Sequence, residues 1–267
     1  MKLSYCGETV RKHDPDRFLL SLFAPADRRE ALWALYAFNF EIARTREVVS
    51  ETQLGLIRLQ WWRDALQNPP AGNPVLDALV KLNLPRESLE SLIYAREFDL
   101  EDRAPPDLAG LVKYAEFTSV PLMYLSHVIL SAAKYLGSIC KGEDPSASPQ
   151  DDKTKNIAIA YALTGLLRAT PAHLRQHRCL LPENLIPSVQ DLYAGQGLEK
   201  LDVAVEAVAE KAESLLSHSD DKFTNLHAHL AHMYLNQIKS AGYDLFSPRL
   251  KIPPFARELR LWWGNLF

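Results

Sequence analysis

The chain has 267 residues, enough for one large domain or two small ones and for a sizeable apolar core. Hydrophobic residues make up 47% and charged residues 24%, the balance of an ordinary globular protein rather than of a disordered one. The net charge of −3 excludes the strongly basic field of a general nucleic-acid binder. Cys6, Cys140 and Cys179 show no C-x-x-C spacing, which argues against a zinc knuckle or a disulfide framework.

Apolar residues recur at helical spacing along almost the whole chain, and no stretch alternates as a strand would. The chain is therefore predicted to be all-α. Breaks are expected near Pro121 and at Thr170–Pro171, because proline interrupts the hydrogen-bond ladder of a helix. The predicted helices are Asp14–Phe23, Ala26–Val49, Thr52–Gln67, Val75–Asn83, Arg86–Leu100, a helix from the Asp107 cap to Gly137, one from Ile157 to Arg168, a short one near Gln190, Leu201–Leu216, Phe223–Ala241 and one after Pro254.

The polar segment Lys141–Asp152, with two prolines, is the one predicted flexible linker. Apolar periodicity resumes directly at Ile157, so the linker is expected to join helices of a single domain over residues 1–267. No run of about 18 apolar residues is present, and no membrane-spanning helix is predicted.

Two segments carry the recognisable motifs of the chain. The first is Ala34-Leu35-Tyr36-Ala37-Phe38, preceded by Trp33 and followed on the next predicted helix by Arg58, Trp62, Arg63 and Leu66. The second runs from Ala162 to Pro182, with a frame of Leu167, Arg168, Arg175, Arg178, Leu181 and Pro182. This layout resembles the squalene/phytoene synthase family of head-to-head prenyl synthases, and the resemblance implies the helical isoprenoid synthase bundle.

The family's active members carry a pair of aspartates in each motif. Mg²⁺ prefers carboxylate oxygen, and two carboxylates four residues apart share one helix face. Here Ala43 and Glu47 occupy the first pair of positions, Ala169 and His173 the second, and Arg44 stands beside the first. With one carboxylate left of four, we expect no bound metal, no cofactor, no catalytic residue and no magnesium-dependent prenyl coupling.

The departures from the family pattern resemble one branch of it. Ala37-Phe38-Asn39-x-Glu41 and the string from Leu167 to His173 are similar to the mitochondrial complex I assembly factor 6 group and its bacterial relatives. The resemblance implies a non-catalytic role in complex I assembly, with complex I subunits or other assembly factors as partners and no nucleic acid. It also implies the matrix side of the inner membrane in a mitochondrion, or the cytoplasmic side in a bacterium.

Two alternatives stay open. One is a divergent prenyl transferase, which would need Mg²⁺ in a different arrangement or an anionic lipid substrate. The other is a module that holds a prenyl or lipid tail in the old substrate cleft, with Arg168 at the head group.

Seven side chains are candidates for ligand binding, and five of them are arginines, whose guanidinium groups match phosphate and carboxylate geometry. A simpler interpretation pairs Arg168 with a helix carboxylate, leaves Arg175 and Arg178 in solvent, and lets His173 satisfy a helix end. The candidates are Tyr36, Arg44, Arg58, Arg168, His173, Arg175 and Arg178.

Two other clusters invite a metal interpretation. Glu97 and Glu101 are spaced for one helix face, and His229 and His232 share another. Arginines flank the acidic pair and no cysteine accompanies the histidines, so both clusters are interpreted as solvated surface.

The segment Phe255–Phe267 predicts a helix with aromatic residues on one side and Arg257 and Arg260 on the other. We expect it to bury its apolar side as a lid on the core, as most amphipathic helices do. Contact with a membrane surface or a partner protein is the alternative.

Overall fold

Helices form all the regular secondary structure of residues 3–131 and 149–264, the part of the chain that this computed structural model describes. This confirms the all-α prediction. The α-helices are α1 (Tyr5–His13), α2 (Pro15–Ser21), α3 (Arg29–Ala43), α4 (Thr45–Val48), α5 (Thr52–Gln67), α6 (Pro74–Leu79), α7 (Arg86–Ala95), α8 (Leu108–Leu130), α9 (Pro149–Arg175), α10 (Val189–Tyr193), α11 (Asp202–Leu215), α12 (Lys222–Ser240) and α13 (Arg257–Gly264).

The chain divides into two compact units. The first comprises Met1–Glu101 and Val120–Ala147, and the second comprises Asp102–Ser119 and Ser148–Phe267. The expectation of a single domain over residues 1–267 stays a prediction.

The first unit is organised around α3, which packs against α1, α2 and α6, while α5 packs against α7. Apolar residues at helical spacing make α3 almost wholly buried, and this burial supplies most of its stability. The fully buried side chains of this unit include Leu32, Leu35, Phe38, Ile42, Leu59, Leu76, Leu92 and Ile93.

The second unit is organised around α9, which packs against α11 and α12. Helix α13 packs against α12. The buried side chains here include Ile157, Leu163, Leu167, Val205, Val208, Leu230, Ile238 and Leu261.

Side-chain caps fix where several helices begin. The backbone N–H of Gly110 donates to Asp107 at 2.8 Å, which confirms Asp107 as the cap of α8. Ser4 caps α1 by accepting from the N–H of Gly7 at 3.0 Å. Sequence reasoning missed α1, although its Ser4 start is an ordinary capping signal.

Both predicted proline breaks are wrong, because α8 runs through Pro121 and α9 runs through Pro171. Residues on both sides of Pro171 are buried within the second unit, so packing holds the two halves of α9 in line. Two hydroxyl groups near the prolines bond one turn back within their own helices: Ser119 donates to Ala115 O at 2.6 Å, and Thr170 donates to Leu166 O at 3.0 Å.

The single helix predicted for Ala26–Val49 is also wrong. Helix α3 ends at Ala43, and α4 begins only at Thr45, because Arg44 adopts ψ near 0° and breaks the regular ladder. Of the predicted linker Lys141–Asp152, residues 141–148 lie outside the described residues, and the remainder begins α9. The predicted end of a helix at Gly137 also lies outside them.

Gly55 and Gly165 form a matched test of the packing. A Cβ atom on Gly55 would lie 2.5 Å and 2.8 Å from the methyl carbons of buried Leu100, whereas one on Gly165 would meet nothing within 4 Å. We expect Gly55→Ala to lower the free energy of unfolding by about 1–3 kcal/mol through overpacking. Gly165→Ala should raise it by about 1 kcal/mol, since alanine is the better helix former. Denaturant unfolding of both variants measures the two changes, and a loss of stability in both would contradict the packing described here.

Candidate functional site

The first motif segment lies in the first unit, where α3 gives way to α4. Ala43 is the last residue of α3 and is half-buried, whereas Glu47 belongs to α4 and is exposed. Its two metal-ligand positions therefore lie on different helices, and only one of them offers oxygen.

A carboxylate that sequence reasoning passed over occupies this segment. Glu41 lies between two arginines: its Oε1 is 3.4 Å from Arg44 Nη1, and its Oε2 is 3.1 Å from Arg58 Nη2. The Glu41 side chain is 15% exposed, so water screens these pairs only partly. The pair of Glu41 and Arg44 could have been predicted from the sequence, since side chains three residues apart on a helix are neighbours.

The surroundings of Glu41 are electropositive. The Arg44 guanidinium lies over the Phe40 ring, 5.3 Å from its centroid, and that ring stacks on His13 at 4.2 Å. Burial lowers the pKa of His13, and the positive charges of Lys12 and Arg44 lower it further, against smaller opposing effects of Glu41 and Glu47. The positive charges of Lys12 and Arg44, which contribute to this lowering, would also repel a metal cation.

Asn39, which belongs to the first motif, takes part in a polar network of the first unit. Its Oδ1 accepts from Arg96 Nη2 at 3.2 Å, and Arg96 Nη1 lies 3.5 Å from the buried Asp99 carboxylate. Glu97, from the acidic cluster, pairs with Arg63 of α5. These carboxylates therefore have guanidinium partners, and the interpretation of the acidic cluster as solvated surface is wrong at Asp99, which is buried against Arg96.

Tyr36 lies inside the first unit and is 3% exposed. Its hydroxyl is 3.1 Å from Ser126 Oγ, and the Arg17 guanidinium lies 5.8 Å from its ring centroid. Burial raises the pKa of Tyr36 to about 12, against a lowering by the Ser126 hydrogen bond. In this conformation the ring is part of the core.

The second motif segment lies in the second unit, on the last turns of α9. Ala169 and His173 are half-buried and, four residues apart, share one face of this continuous helix. The helix ends in a Schellman motif: Arg178 N–H donates to His173 O at 2.9 Å, and His177 N–H donates to Leu174 O at 3.1 Å. His177 takes the left-handed position with φ 55°, where glycine is commonest.

Arg168 lies flat on an aromatic ring of α12. Its guanidinium carbon is 3.4 Å from the ring centroid of Tyr234, and the Tyr234 hydroxyl accepts from Arg257 Nη1 at 3.1 Å. The arginine is exposed while the tyrosine is buried. The stack orients Arg168 and leaves part of it in solvent.

The two remaining motif arginines differ in burial. Arg175 is exposed and donates from Nε to Pro171 O at 2.9 Å, within its own helix. Arg178 is only 9% exposed. The simpler interpretation, that both face solvent, is wrong for Arg178, because the Schellman turn directs the chain back against the unit at that residue.

The residues of the two motif segments do not fit Mg²⁺. Ala43 and Ala169 supply no ligand atom, His173 is not the oxygen ligand that Mg²⁺ favours, and Glu41 already lies between two arginines. Within residues 3–131 and 149–264, no group of three or more His, Cys, Asp or Glu side chains is placed to hold a metal ion. The same part of the chain contains no helix long and apolar enough to cross a membrane.

The fold is that of an isoprenoid-type synthase. A crystal structure of a dehydrosqualene synthase with bound ligand superposes with a TM-score of 0.75, covering 98% of this chain and 94% of that one at 16% identity. Such low identity shows the common fold alone, and it confirms the predicted bundle.

Residues 10–256 match the squalene/phytoene synthase family, and the chain belongs to that family. Among relatives, complex I assembly factor 6 of Bos taurus is 32% identical over 92% of this chain and 77% of its own length. Phytoene synthase 1 of Arabidopsis thaliana, a chloroplast protein, is 22% identical over 91% of this chain and 61% of its own length. The chain thus resembles the assembly factor more than it resembles this catalyst.

Alkaline unfolding should report the burial of Tyr36. Its pKa rises from 10 to about 12 on folding, so its contribution to stability is complete below pH 10 and is lost as the pH rises towards 12. We expect Tyr36→Phe to lose less stability than the wild type between these pH values, measured by urea unfolding. Tyr5→Phe, at a residue that is 56% exposed, is the control and should behave as the wild type. Equal losses in wild type and Tyr36→Phe would count against burial of the hydroxyl.

Arg175 and Arg178 allow a direct test of burial within one motif. We expect Arg178→Ala to lower the free energy of unfolding by about 1–3 kcal/mol, because it empties a buried position. Arg175→Ala should change it by less than about 0.5 kcal/mol, as exposed substitutions usually do. Equal effects in chemical denaturation would contradict the different placement of the two side chains.

Proposed function

We propose that this protein assists the assembly of respiratory complex I and does not catalyse prenyl coupling. The observation that carries the proposal is the 32% identity to bovine complex I assembly factor 6 over 92% of the chain. The proposed partners are complex I subunits or other assembly factors. The proposed place of action is the matrix side of the mitochondrial inner membrane, or the cytoplasmic side of a bacterial membrane.

The charges of the first motif segment support the non-catalytic part of the proposal. Diphosphate departure in this family depends on carboxylates that hold Mg²⁺ against the substrate, as the motif chemistry requires. Glu47 is exposed, and Glu41 lies between Arg44 and Arg58. A cation entering here would meet two guanidinium groups and would have to displace one of them from Glu41.

A second candidate function is the holding of an anionic lipid or prenyl ligand without turnover. Arg168 favours it, because this exposed guanidinium is already oriented by its stack on Tyr234. An arginine fixed in advance loses less side-chain freedom when it binds a phosphate. This role and the assembly role are compatible, since a bound lipid need not react.

Glu47, the one carboxylate that remains at the four motif positions, provides the test of the non-catalytic role. In a strain that lacks this gene and assembles little complex I, we expect Glu47→Gln to restore assembly as well as the wild type does. Native gels of the membrane fraction and NADH–quinone reductase activity measure the recovery. Asp64→Asn, at another exposed carboxylate of the first unit, is the matched control.

In the second part of the experiment, the purified protein is incubated with farnesyl or geranylgeranyl diphosphate and Mg²⁺, and the release of diphosphate is measured. Failure of Glu47→Gln to restore assembly, together with enzyme-like release of diphosphate by the wild type, would overturn the proposal in favour of a divergent prenyl transferase. Unimpaired complex I in the strain that lacks the gene would overturn the assembly role itself.

A further inference from the structure

A group of exposed apolar side chains lies at the C-terminal end of the described chain. Phe255 is 93% exposed, and the other members are between 54% and 69% exposed. The expectation that this helix buries its aromatic side as a core lid is wrong. We call the group the C-terminal aromatic surface; its members are Ile252, Phe255, Leu259, Trp262 and Trp263.

The orientation of α13 explains this exposure. Leu261 is buried, and the Arg257 side chain, only 13% exposed, donates to the Tyr234 hydroxyl of α12. With 3.6 residues per turn, Leu259, Trp262 and Trp263 fall within an arc of roughly 100° on the opposite side of the helix. Helix α13 thus docks through a narrow face and turns its wider apolar face outward.

The segment before α13 is held firmly to the second unit. The Gln237 side-chain amide, on α12, donates to the carbonyl oxygens of Arg249 and Ile252 at 2.8 Å each. These bonds fix the turn of 3₁₀ helix at Pro248–Lys251 against α12. The exposed rings therefore project from a segment that hydrogen bonds hold against α12.

The C-terminal aromatic surface exposes a large apolar area to solvent. An aromatic side chain presents about 150–250 Å², so the exposed fractions of Phe255, Trp262 and Trp263 together expose on the order of 400 Å². Patches of this size on a monomer are often functional.

The charges near the C-terminal aromatic surface indicate what kind of partner it binds. Residues 245–264 carry four basic side chains and one acidic one, in a chain whose net charge is −3. Lys251 and Arg260 are exposed, and each is next in sequence to a member of the C-terminal aromatic surface. Exposed tryptophan next to lysine and arginine is the composition of helices that lie in the interface of an anionic bilayer. Phe255, almost wholly exposed, projects outward as insertion between lipids requires, rather than lining a groove for a partner helix.

We propose that the C-terminal aromatic surface docks this protein onto an anionic lipid bilayer. The rings enter the headgroup region of the near leaflet, while Lys251 and Arg260 contact lipid phosphates. The excess negative charge of the remaining chain turns the rest of the protein away from the membrane. This inference rests on α12 and α13 and does not depend on the proposed role in complex I assembly.

The test is sedimentation of the full chain with vesicles of phosphatidylcholine alone and of phosphatidylcholine mixed with phosphatidylglycerol. We expect binding to the mixed vesicles that weakens as salt is added. Lys251→Gln and Arg260→Gln should each weaken it about fivefold, the contribution of one basic residue near such a surface. Lipids brominated near the headgroup should quench tryptophan fluorescence of the wild type, a readout that needs no variant.

Matched variants distinguish binding through the C-terminal aromatic surface from non-specific hydrophobic binding to vesicles. We expect Phe255→Ala/Trp262→Ala to lose at least about tenfold in affinity, because it removes two inserting rings. Leu54→Ala/Trp61→Ala, which removes exposed apolar residues of α5, should bind as the wild type does. Absence of wild-type binding, equal binding to both vesicle types, or full binding by the Phe255/Trp262 variant would each overturn the proposal. So would capture of a protein partner by this surface in place of vesicles.

Discussion

The ion pairs of Glu41 govern what the first motif segment can do. Glu41 joins α3 to α5 through Arg58 and joins the end of α3 to Arg44, where the helix stops. A partly screened carboxylate between two guanidinium groups is compensated locally, so Glu41 is not available as a ligand for a cation. The same contacts thus connect α5 to α3 and surround Glu41 with positive charge.

Helical periodicity predicted most elements of this fold, because each helix buries a stripe of its own residues. The errors lie where tertiary structure overrides a local signal. Pro121 and Pro171 predict breaks, yet α8 and α9 continue through them, and residues on both sides of Pro171 are buried. Arg44, with no breaking signal in its sequence, interrupts a helix that periodicity alone would continue.

The candidate site was predictable in its motif positions but not in its contacts. The stack of Arg168 on Tyr234 and the bond from Arg96 to Asn39 join residues far apart in sequence, and no local pattern encodes such pairs. Arg175 and Arg178 have the same chemistry and similar neighbours. Arg175 lies on the last turn of α9 and is exposed, whereas Arg178 follows the Schellman turn and is buried.

The family frame and the missing carboxylates have different physical roles, which explains how one remains without the other. Trp33, Tyr36, Phe38 and Leu167 belong to the motifs and are all buried, so folding requires residues of that size at those positions whatever the function. Glu47 is exposed, and Ala43 and Ala169 are only half-buried, so exchanging acids there costs little packing. In a chain of this family the residues at these positions can therefore change while the buried residues of the motifs maintain the fold.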